Sequence, residues 1–537
     1  MQRETHRPFR AIHAAPEISP QRVTTIGELV DLLPGAVLAG NPATPISDLT
    51  FDSRTACPDA LFVALRGGYV DAHRFLPAAR AAGAVAALVE PDTPHELLNG
   101  YEAIVRTPDT RLALAPVAAR WFDDPSRALT LIGVTGTDGK TTTCYLIESL
   151  LQERGTTSGL VSTVAIRSAG QPMQRTSGRT TPESLDVQRY LARMRAAGVG
   201  AAVLESTSHG LAMHRVDGCH FDIGVVTNVT HEHLDFHGTL AGYRSAKAGL
   251  LRRVAAARAS GKRGVCVLNL DDAGTRSIAH AGLGAELLWY SATGNRDADV
   301  WADAVEVRAE GCRFELHTPD GMAVVNLQLP GSWNVANGLA AATVGHTLGM
   351  TPARIAAGLG ALPAVPGRMQ RVDIGQPFTV IVDYAHTPDA LRGVLTEVRR
   401  LTDAHVLVLI GSAGEADRGK RPLLGATAQE LSDLAIFSSD DPRYEDPDAI
   451  IASITTGAAQ AGGRQGTDFE CIENREAAIH ALIGHARPGD VVVLAGKGHE
   501  RSQIYGETPH PWDDAAVARD AIEATRRTGR GQSWYDA

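Results

Sequence analysis

The run Thr135-Gly136-Thr137-Asp138-Gly139-Lys140-Thr141-Thr142 has the residue types and spacing of a phosphate cradle. Backbone N–H groups of a glycine-rich turn, continued by a helix N-terminus, attract anionic oxygens. Gly136 and Gly139 permit the close turn, and Lys140 brings a charge toward β- and γ-phosphates. The Thr141 hydroxyl suits a Mg²⁺ ion. Position 134 is Val where the general pattern wants its first Gly, so the loop is a T-G-T-x-G-K-T variant. A glycine-rich turn without chemistry is the alternative.

Two further segments carry candidate groups. Glu205 opens Glu205-Ser206-Thr207-Ser208-His209-Gly210-Leu211 directly after an apolar run, where a parallel sheet delivers functional side chains, and is a candidate metal carboxylate. Thr227 to His237 places His231, Glu232, His233, Asp235 and His237 close together. Such a cluster is a Mg²⁺ site or equally a hydrogen-bonded loop. It is not the HExxH of a zinc protease, because His231 and His233 would not share a helix face.

These motifs need strands and helices to hold them. Short β-branched runs alternate with Ala- and Leu-rich stretches, which predicts α/β layers with largely parallel sheets. Strands are expected at Ala60 to Leu65 and Ala84 to Leu88 around a helix Phe75 to Ala82; at Leu129 to Val134, Ala201 to Leu204, Ile223 to Thr227 and Gly264 to Leu268; and at Thr379 to Val382, His405 to Ile410, Leu434 to Ser438 and Asp490 to Leu494. The Asp123 to Ser126 turn and the Pro-rich Leu362 to Gly367 suggest boundaries, hence three domains over 1–125, 126–366 and 367–537. The 537 residues are too many for one core. Fifty-one Lys and Arg against 61 Asp and Glu give a net charge of −10, which argues against a protein that coats nucleic acid. At 44% hydrophobic and 21% charged, the chain is neither disordered nor fibrous. Met1 to Arg10 reads as a short loose arm with no signal-peptide core behind it, and no apolar run is long enough to span a membrane. Six scattered cysteines without a CxxC pair fit reduced thiols and a cytoplasmic location.

Taken together, the ordered motifs resemble the ATP-dependent Mur ligases and, among them, the UDP-N-acetylmuramoyl-tripeptide synthetases. The resemblance covers nearly the whole chain. Besides the loop, it rests on Asp52-Ser53-Arg54, Thr180-Thr181-Pro182, Ser208 to Arg215, Thr227 to His237, Ser245-Ala246-Lys247, Gly331 with Asn334 and Asn337, and Gly367-Arg368. It continues through Asp383 to Pro388, Lys420-Arg421-Pro422, Asp440-Asp441-Pro442-Arg443 and Gly496-Lys497-Gly498-His499-Glu500. It implies an N-terminal UDP-substrate domain, a central P-loop ATPase domain and a C-terminal Rossmann-like amino-acid domain. The implied reaction has ATP phosphorylate the free carboxylate of UDP-MurNAc-L-Ala-D-Glu, after which a diamino acid displaces phosphate. Peptidoglycan precursor synthesis is the implied setting, with no nucleic acid, no membrane insertion and a monomeric chain.

The resemblance also implies roles. Thr141 and Glu205 would hold one Mg²⁺, and His233 with a carbamylated Lys247 a second; the unmodified alternative for Lys247 is a solvated helix lysine. Lys140 and Arg368 would act on the phosphates, with Asn334, Asn337 and Asp383 as further ATP contacts; a loop salt bridge is the alternative for Arg368. Ser53 would lie on the uracil side, and Thr180, Thr181, Thr207 and Arg215 along the sugar-peptide. Met213 stands where the family often has Gln and is not carried over. Arg421, Asp441, Arg443, Gly496 and Glu500 would form the amino-acid pocket. The diaminopimelate enzymes carry Asp-Asn-Pro-Arg, whereas this chain has Asp441 in place of the Asn. A carboxylate there repels a substrate carboxylate and accepts from an ammonium, or it pairs with Arg443 or caps a turn. L-Lysine or L-ornithine therefore competes with meso-diaminopimelate, with a slight lean toward the former. The rival readings are a sister ligase such as folylpoly-γ-glutamate synthetase and a nucleotide-sensing P-loop protein that makes no amide.

Overall fold

The computed structural model describes residues 24–67, 70–230 and 232–527, so the N-terminal arm and His231 lie outside the described residues. Three larger sheets organise the chain. In the first, Asp48–Thr50, Ala60–Val63, Ala86–Val89 and Ala103–Arg106 run parallel, and Val37–Gly40 closes the edge antiparallel. The strand expected to reach Leu65 stops at Val63, and the helix expected over Phe75 to Ala82 is present as Leu76–Ala81, preceded by a 3₁₀ turn, Ala72–Phe75.

The central sheet has eleven strands. Its parallel part runs in the order Ser158–Val161, Ala201–Glu205, Thr130–Thr135, Ile223–Val226, Val265–Asn269, Glu286–Ser291. From Thr130–Thr135 the chain first winds to one side and then returns to the other, so the ends of three adjacent strands open at a switch point. The loop at Gly136, the carboxylate of Glu205 and the Thr227-Asn228 turn all leave the sheet there. The helix Lys140–Glu153 follows the loop and buries its Thr, Cys, Leu and Ile side chains. The helix Trp333–Thr347 packs on the same core through Leu339, Ala340, Ala341 and Ala342, the alanines being small enough for close helix approach.

Not foreseen was the extension of this sheet by Val300–Arg308, Gly311–Thr318 and Gly321–Leu327, whose successive pairs are antiparallel. The first of these carries a register shift between Asp303 and Glu306, with Ala304 at φ 49°. A bulge breaks the two-residue alternation by which a half-buried strand is recognised.

The C-terminal sheet orders Gln370–Arg371, Thr379–Asp383, Val491–Ala495, Val406–Ile410, Leu434–Phe437 and Phe469–Cys471, all parallel except the first. Leu185 and Ala192, on the helix Ser184–Ala196, join the core of the first sheet. Glu397 accepts from the Ser332 backbone N–H and, at 3.1 Å, from its hydroxyl, tying the C-terminal unit to the central one. All six cysteines are free, four of them buried. Among the described residues no helix is long and apolar enough to cross a membrane.

Candidate active site

The loop Thr135 to Thr142 is shaped by what it cannot accommodate. Gly136 has φ 154°, and a Cβ there would lie 1.7 Å from Thr227 Oγ1; Gly139 has φ 79°, and a Cβ would meet Asn337 Oδ1 at 2.1 Å. The following turn braces it: Asp138 N–H donates to Asn228 Oδ1 at 2.9 Å and Thr227 Oγ1 donates to the Asp138 carbonyl at 2.6 Å. Thr137 shares a hydrogen bond with the Tyr243 hydroxyl at 2.9 Å. Lys140 Nζ reaches back to the carbonyls of Gly136 at 3.1 Å and Thr137 at 2.6 Å. Thr142 is buried in the first turn of the helix.

Thr141 and Glu205 meet, with Oγ1 at 3.0 and 3.1 Å from the two carboxylate oxygens. Thr163 joins them through its N–H at 2.8 Å and its hydroxyl at 3.0 Å. Sequence reasoning missed Thr163; it lies just past the end of Ser158–Val161 and carries no local signal. From there a chain of hydroxyls continues: Thr163 to Thr180 at 3.0 Å, then Thr181 to the Glu205 carbonyl at 2.9 Å and to Thr207 at 3.1 Å. Arg215 NH1 donates to the Thr181 carbonyl at 3.1 Å.

Lys247 is 1% exposed and donates to the Gly136 carbonyl that Lys140 also uses. Its Nζ lies 4.4 Å from the centre of the Tyr243 ring, one helical turn earlier. Burial first, and Lys140 second, push its pKa well below the usual lysine value. The solvated helix lysine is thereby excluded. Tyr243, unmarked by sequence reading, was discoverable as the i−4 neighbour of Lys247. His233 sits at φ 54° beyond the same ring, 6.4 Å between centroids, and 4.8 Å edge-on from His209. Burial, then His233 and His237, lower the His209 pKa to about 4, so its ring is neutral at pH 7.

Asn337 faces the loop, accepting from Thr143 at 3.4 Å and donating to Asn334 at 2.9 Å, while Asn334 donates to the Pro330 carbonyl at 2.7 Å. Arg368 and Asp383 are not brought to the loop by any hydrogen bond or ion pair among the described residues. The Arg368 guanidinium lies 5.0 Å from the Tyr384 ring centre, with a buried Nε that makes no hydrogen bond. Asp383 accepts from the N–H groups of Met369 at 2.7 Å and Ala385 at 2.9 Å, and burial raises its pKa. Ser53 is half-buried in a turn held by the Asp52–Arg54 pair.

At the C-terminal end the alternative in which Asp441 pairs with Arg443 is not realised. Arg443 is exposed, and its backbone at φ 53° bonds Ile504 and Gly506. Asp441 instead accepts from Lys497 Nζ at 2.7 Å and from the Ile504 N–H at 2.9 Å. Lys497, 0% exposed, also reaches Asp440 at 3.1 Å and Glu500 at 2.9 Å. One ammonium among three carboxylates leaves 1 − 3 = −2, and the neighbouring Arg475–Asp514 pair adds nothing net. The carboxylates raise the Lys497 pKa although burial opposes them, and burial raises that of Glu500. Gly496 lets Asp440 approach, since a Cβ there would stand 3.1 Å from its Oδ2. Arg421 is occupied by Glu445 in a two-point ion pair at 3.0 and 3.1 Å.

Comparison with known proteins accords with this arrangement. Residues 45–122 match the Mur ligase family catalytic domain, 134–345 the Mur ligase middle domain, and 367–498 the Mur ligase glutamate ligase domain. A UDP-N-acetylmuramyl-tripeptide synthetase of Roseiflexus sp. (strain RS-1) is 45% identical over 489 residues, 90% of this chain and 95% of the relative. A UDP-N-acetylmuramoyl-L-alanyl-D-glutamate–2,6-diaminopimelate ligase of Streptomyces avermitilis is 40% identical over 93% of this chain and 98% of its own. A solved ligase of that last name superposes with TM-score 0.66 at 31% identity, covering 94% of this chain and all of its own. Folylpolyglutamate synthase of Mycobacterium tuberculosis shares the fold alone, with TM-score 0.59 at 18% identity over 77% of this chain and 95% of its own. With three domain models in order and relatives matched almost end to end, the chain belongs to the Mur ligase family, on the branch of the UDP-N-acetylmuramyl-tripeptide synthetases.

Proposed function

We propose that this ligase joins a diamino acid to the D-glutamyl carboxylate of UDP-MurNAc-L-Ala-D-Glu at the expense of ATP, as a monomer in the cytoplasm. The observation that carries the reading is the convergence of the phosphate loop, Glu205 and Asn337 at the switch point of one sheet. The units are assigned to 1–125, 126–366 and 367–537, each holding one of the three larger sheets.

The loop N–H groups and Lys140 receive the β- and γ-phosphates, and Asn334 and Asn337 line the nucleotide beside Gly139. The donor set of Thr141 and Glu205, hard oxygens facing one point, fits Mg²⁺, whose charge eases approach of a carboxylate to a triphosphate. Lys247 fits the carbamate role because a neutral amine is the form that reacts with CO₂ (R–NH₂ + CO₂ → R–NH–COO⁻ + H⁺), and His233 lies on the same side as a second ligand. Thr180, Thr181, Thr207 and Arg215 run along the peptide toward the reacting carboxylate, and Ser53 takes the uracil end. Arg368 and Asp383 come to the phosphates when the C-terminal unit closes, which also excludes water. The γ-phosphoryl group passes to the D-glutamyl carboxylate as ADP leaves, and the neutral amine then attacks the carbon of that acyl phosphate, the C–O bond to phosphate breaking and the amine losing a proton to leave the amide.

For the amino acid, the charge excess around Lys497 favours a side chain ending in an ammonium, and L-lysine or L-ornithine is the preferred substrate. Exposed Arg443 keeps meso-diaminopimelate as the second reading, in keeping with the diaminopimelate relatives. A ligation assay offering the three diamino acids in competition, read by phosphate release and product mass, tests both levels. Release that ignores UDP-MurNAc-L-Ala-D-Glu would return the chain to a nucleotide sensor. Predominant diaminopimelate product would give the pocket to Arg443.

A further inference from the structure

Tyr243 lies one turn before Lys247 on the helix Leu240–Arg258, so the two side chains share a face. The tyrosine is fully buried, between segments that are far apart along the chain. Its hydroxyl pairs at 2.9 Å with Thr137 Oγ1, 106 residues away in the glycine-rich loop, and stands 3.5 Å from Glu232 Oε2. Thr137 Oγ1 in turn accepts from the Thr230 N–H at 3.0 Å. A relay of two hydrogen bonds therefore ties the helix that carries Lys247, the loop that would cradle phosphates, and the segment that leads to His233.

The ring of the same residue bounds the space open to the lysine. Lys247 Nζ lies 4.4 Å from the ring centre and donates to the Gly136 carbonyl, so the amine is held between the ring and the loop. The rings of His233 and His237 stand 6.4 and 5.3 Å away, centre to centre. A position that required only apolar volume would be met by Phe, because a buried phenol is costly unless its hydroxyl is bonded. Here the hydroxyl is bonded to the loop, so the phenol serves the site as well as the core.

We infer that Tyr243 is a positioning residue with two separable parts: its hydroxyl fixes Thr137 and with it the turn that receives ATP, and its ring fixes where the Lys247 amine can sit. One side chain then sets the spacing between the nucleotide loop and the lysine. The inference rests on the proposed use of the loop for ATP and of Lys247 as a carbamate, and adds to that reading the residue that holds the two in register.

Binding and spectroscopy on the full chain test it without depending on turnover. Tyr243→Phe keeps the ring and removes the hydroxyl. Its Kd for a non-hydrolysable ATP analogue with Mg²⁺, measured by calorimetry, is expected to rise about three- to tenfold, the scale of one buried hydrogen bond between neutral groups. Its ¹³C carbamate signal, after equilibration with labelled bicarbonate, should match that of the parent. Tyr243→Met keeps apolar volume but removes the ring face as well. The same rise in Kd should then be joined by a weaker carbamate signal and a fall in kcat of about tenfold, the scale of a misplaced reacting group. Higher bicarbonate should restore that kcat without restoring KM for ATP. A cycle with Thr137→Val completes the test: the double variant with Tyr243→Phe should bind the analogue no more weakly than the weaker single variant. A parental Kd in Tyr243→Phe, or losses that simply add in the cycle, overturns the hydroxyl's part. Equal carbamate signals in the Phe and Met variants overturn the ring's part, and a parallel rise in the KM values for all three substrates, the mark of core packing alone, overturns both. Absence of turnover by a parent whose Kd values behave as stated overturns the proposed reaction and leaves the hydroxyl's part standing.

Discussion

Lys247 and Lys497 are both withdrawn from water, at 1% and 0% exposure, yet their surroundings drive them in opposite directions. Lys247 shares the Gly136 carbonyl with Lys140 and faces an aromatic ring, with no carboxylate in hydrogen-bonding reach among the described residues. Its ammonium form is disfavoured. Lys497 is bonded to Asp440, Asp441 and Glu500, and its ammonium form is favoured. Burial magnifies whatever the neighbours do, and the neighbours decide the sign. One region thus holds a buried amine whose neutral form is favoured beside the glycine-rich loop, and the other holds a cation fixed among three carboxylates.

Breaking the first region at its source should have the largest effect. Lys140→Ala removes the loop cation proposed to face the β- and γ-phosphates and is expected to lower ATP-dependent ligation by a factor on the order of 10⁴, read as phosphate release. Near-parental turnover would remove the loop from the mechanism.

Lys497→Met breaks the second region. It strands three carboxylates that share one buried cation, and the expected loss of stability is about 3–5 kcal/mol by denaturant unfolding. In the parent, the raised Lys497 pKa means that its contribution is complete below the ordinary lysine value of 10.5 and is lost as pH rises through the folded-state value. In the variant, the loss should be smaller at pH 5 than at pH 8, because carboxylates without their cation take up protons. A pH-independent loss would mean that packing, not charge, is what Lys497 supplies.

The comparison sharpens with Lys247→Ala, expected to cost about 10²- to 10³-fold in kcat, with partial recovery on adding a short carboxylic acid that fills the vacated space. Carbamate carbon should be visible by ¹³C NMR after equilibration with labelled bicarbonate in the parent and absent in the variant. An unmodified amine in active, bicarbonate-equilibrated protein would contradict the role.

The smallest effect is expected from Asp441→Asn, which reduces the excess around Lys497 from −2 to −1 while an amide oxygen can still accept from Ile504 N–H. The ratio of kcat/KM for meso-diaminopimelate over L-lysine should rise about ten- to a hundredfold. An unchanged ratio would confine Asp441 to holding Lys497.

Much of the site was legible because its requirements are local. A phosphate-binding turn needs two glycines, a lysine and a threonine in eight successive residues, and the clash that a Cβ at Gly136 or Gly139 would cause appears in the sequence as glycine itself. Many of the buried parallel strands were legible as short apolar runs bounded by turns, whereas Ser158–Val161, Glu286–Ser291 and Ala103–Arg106 were not marked. By contrast, Val300–Arg308 was illegible, since its bulge shifts the alternation partway along.

Sequence by itself determined the chemistry each segment can offer: the cradle, the lone Lys247 in its helix, and the Asp440-Asp441 and Gly496 to Glu500 motifs. Tertiary structure alone decided which of them meet. Glu205 finds Thr141 and Thr163 because three strands lie side by side in an order that the chain does not follow. Asp441 finds Lys497 rather than Arg443 because its side chain turns inward to a buried ammonium 56 residues away, while Arg443, two positions along, points to solvent. Local residue types set what a side chain can bond. Crossover order and burial, which no short stretch encodes, set what it does bond.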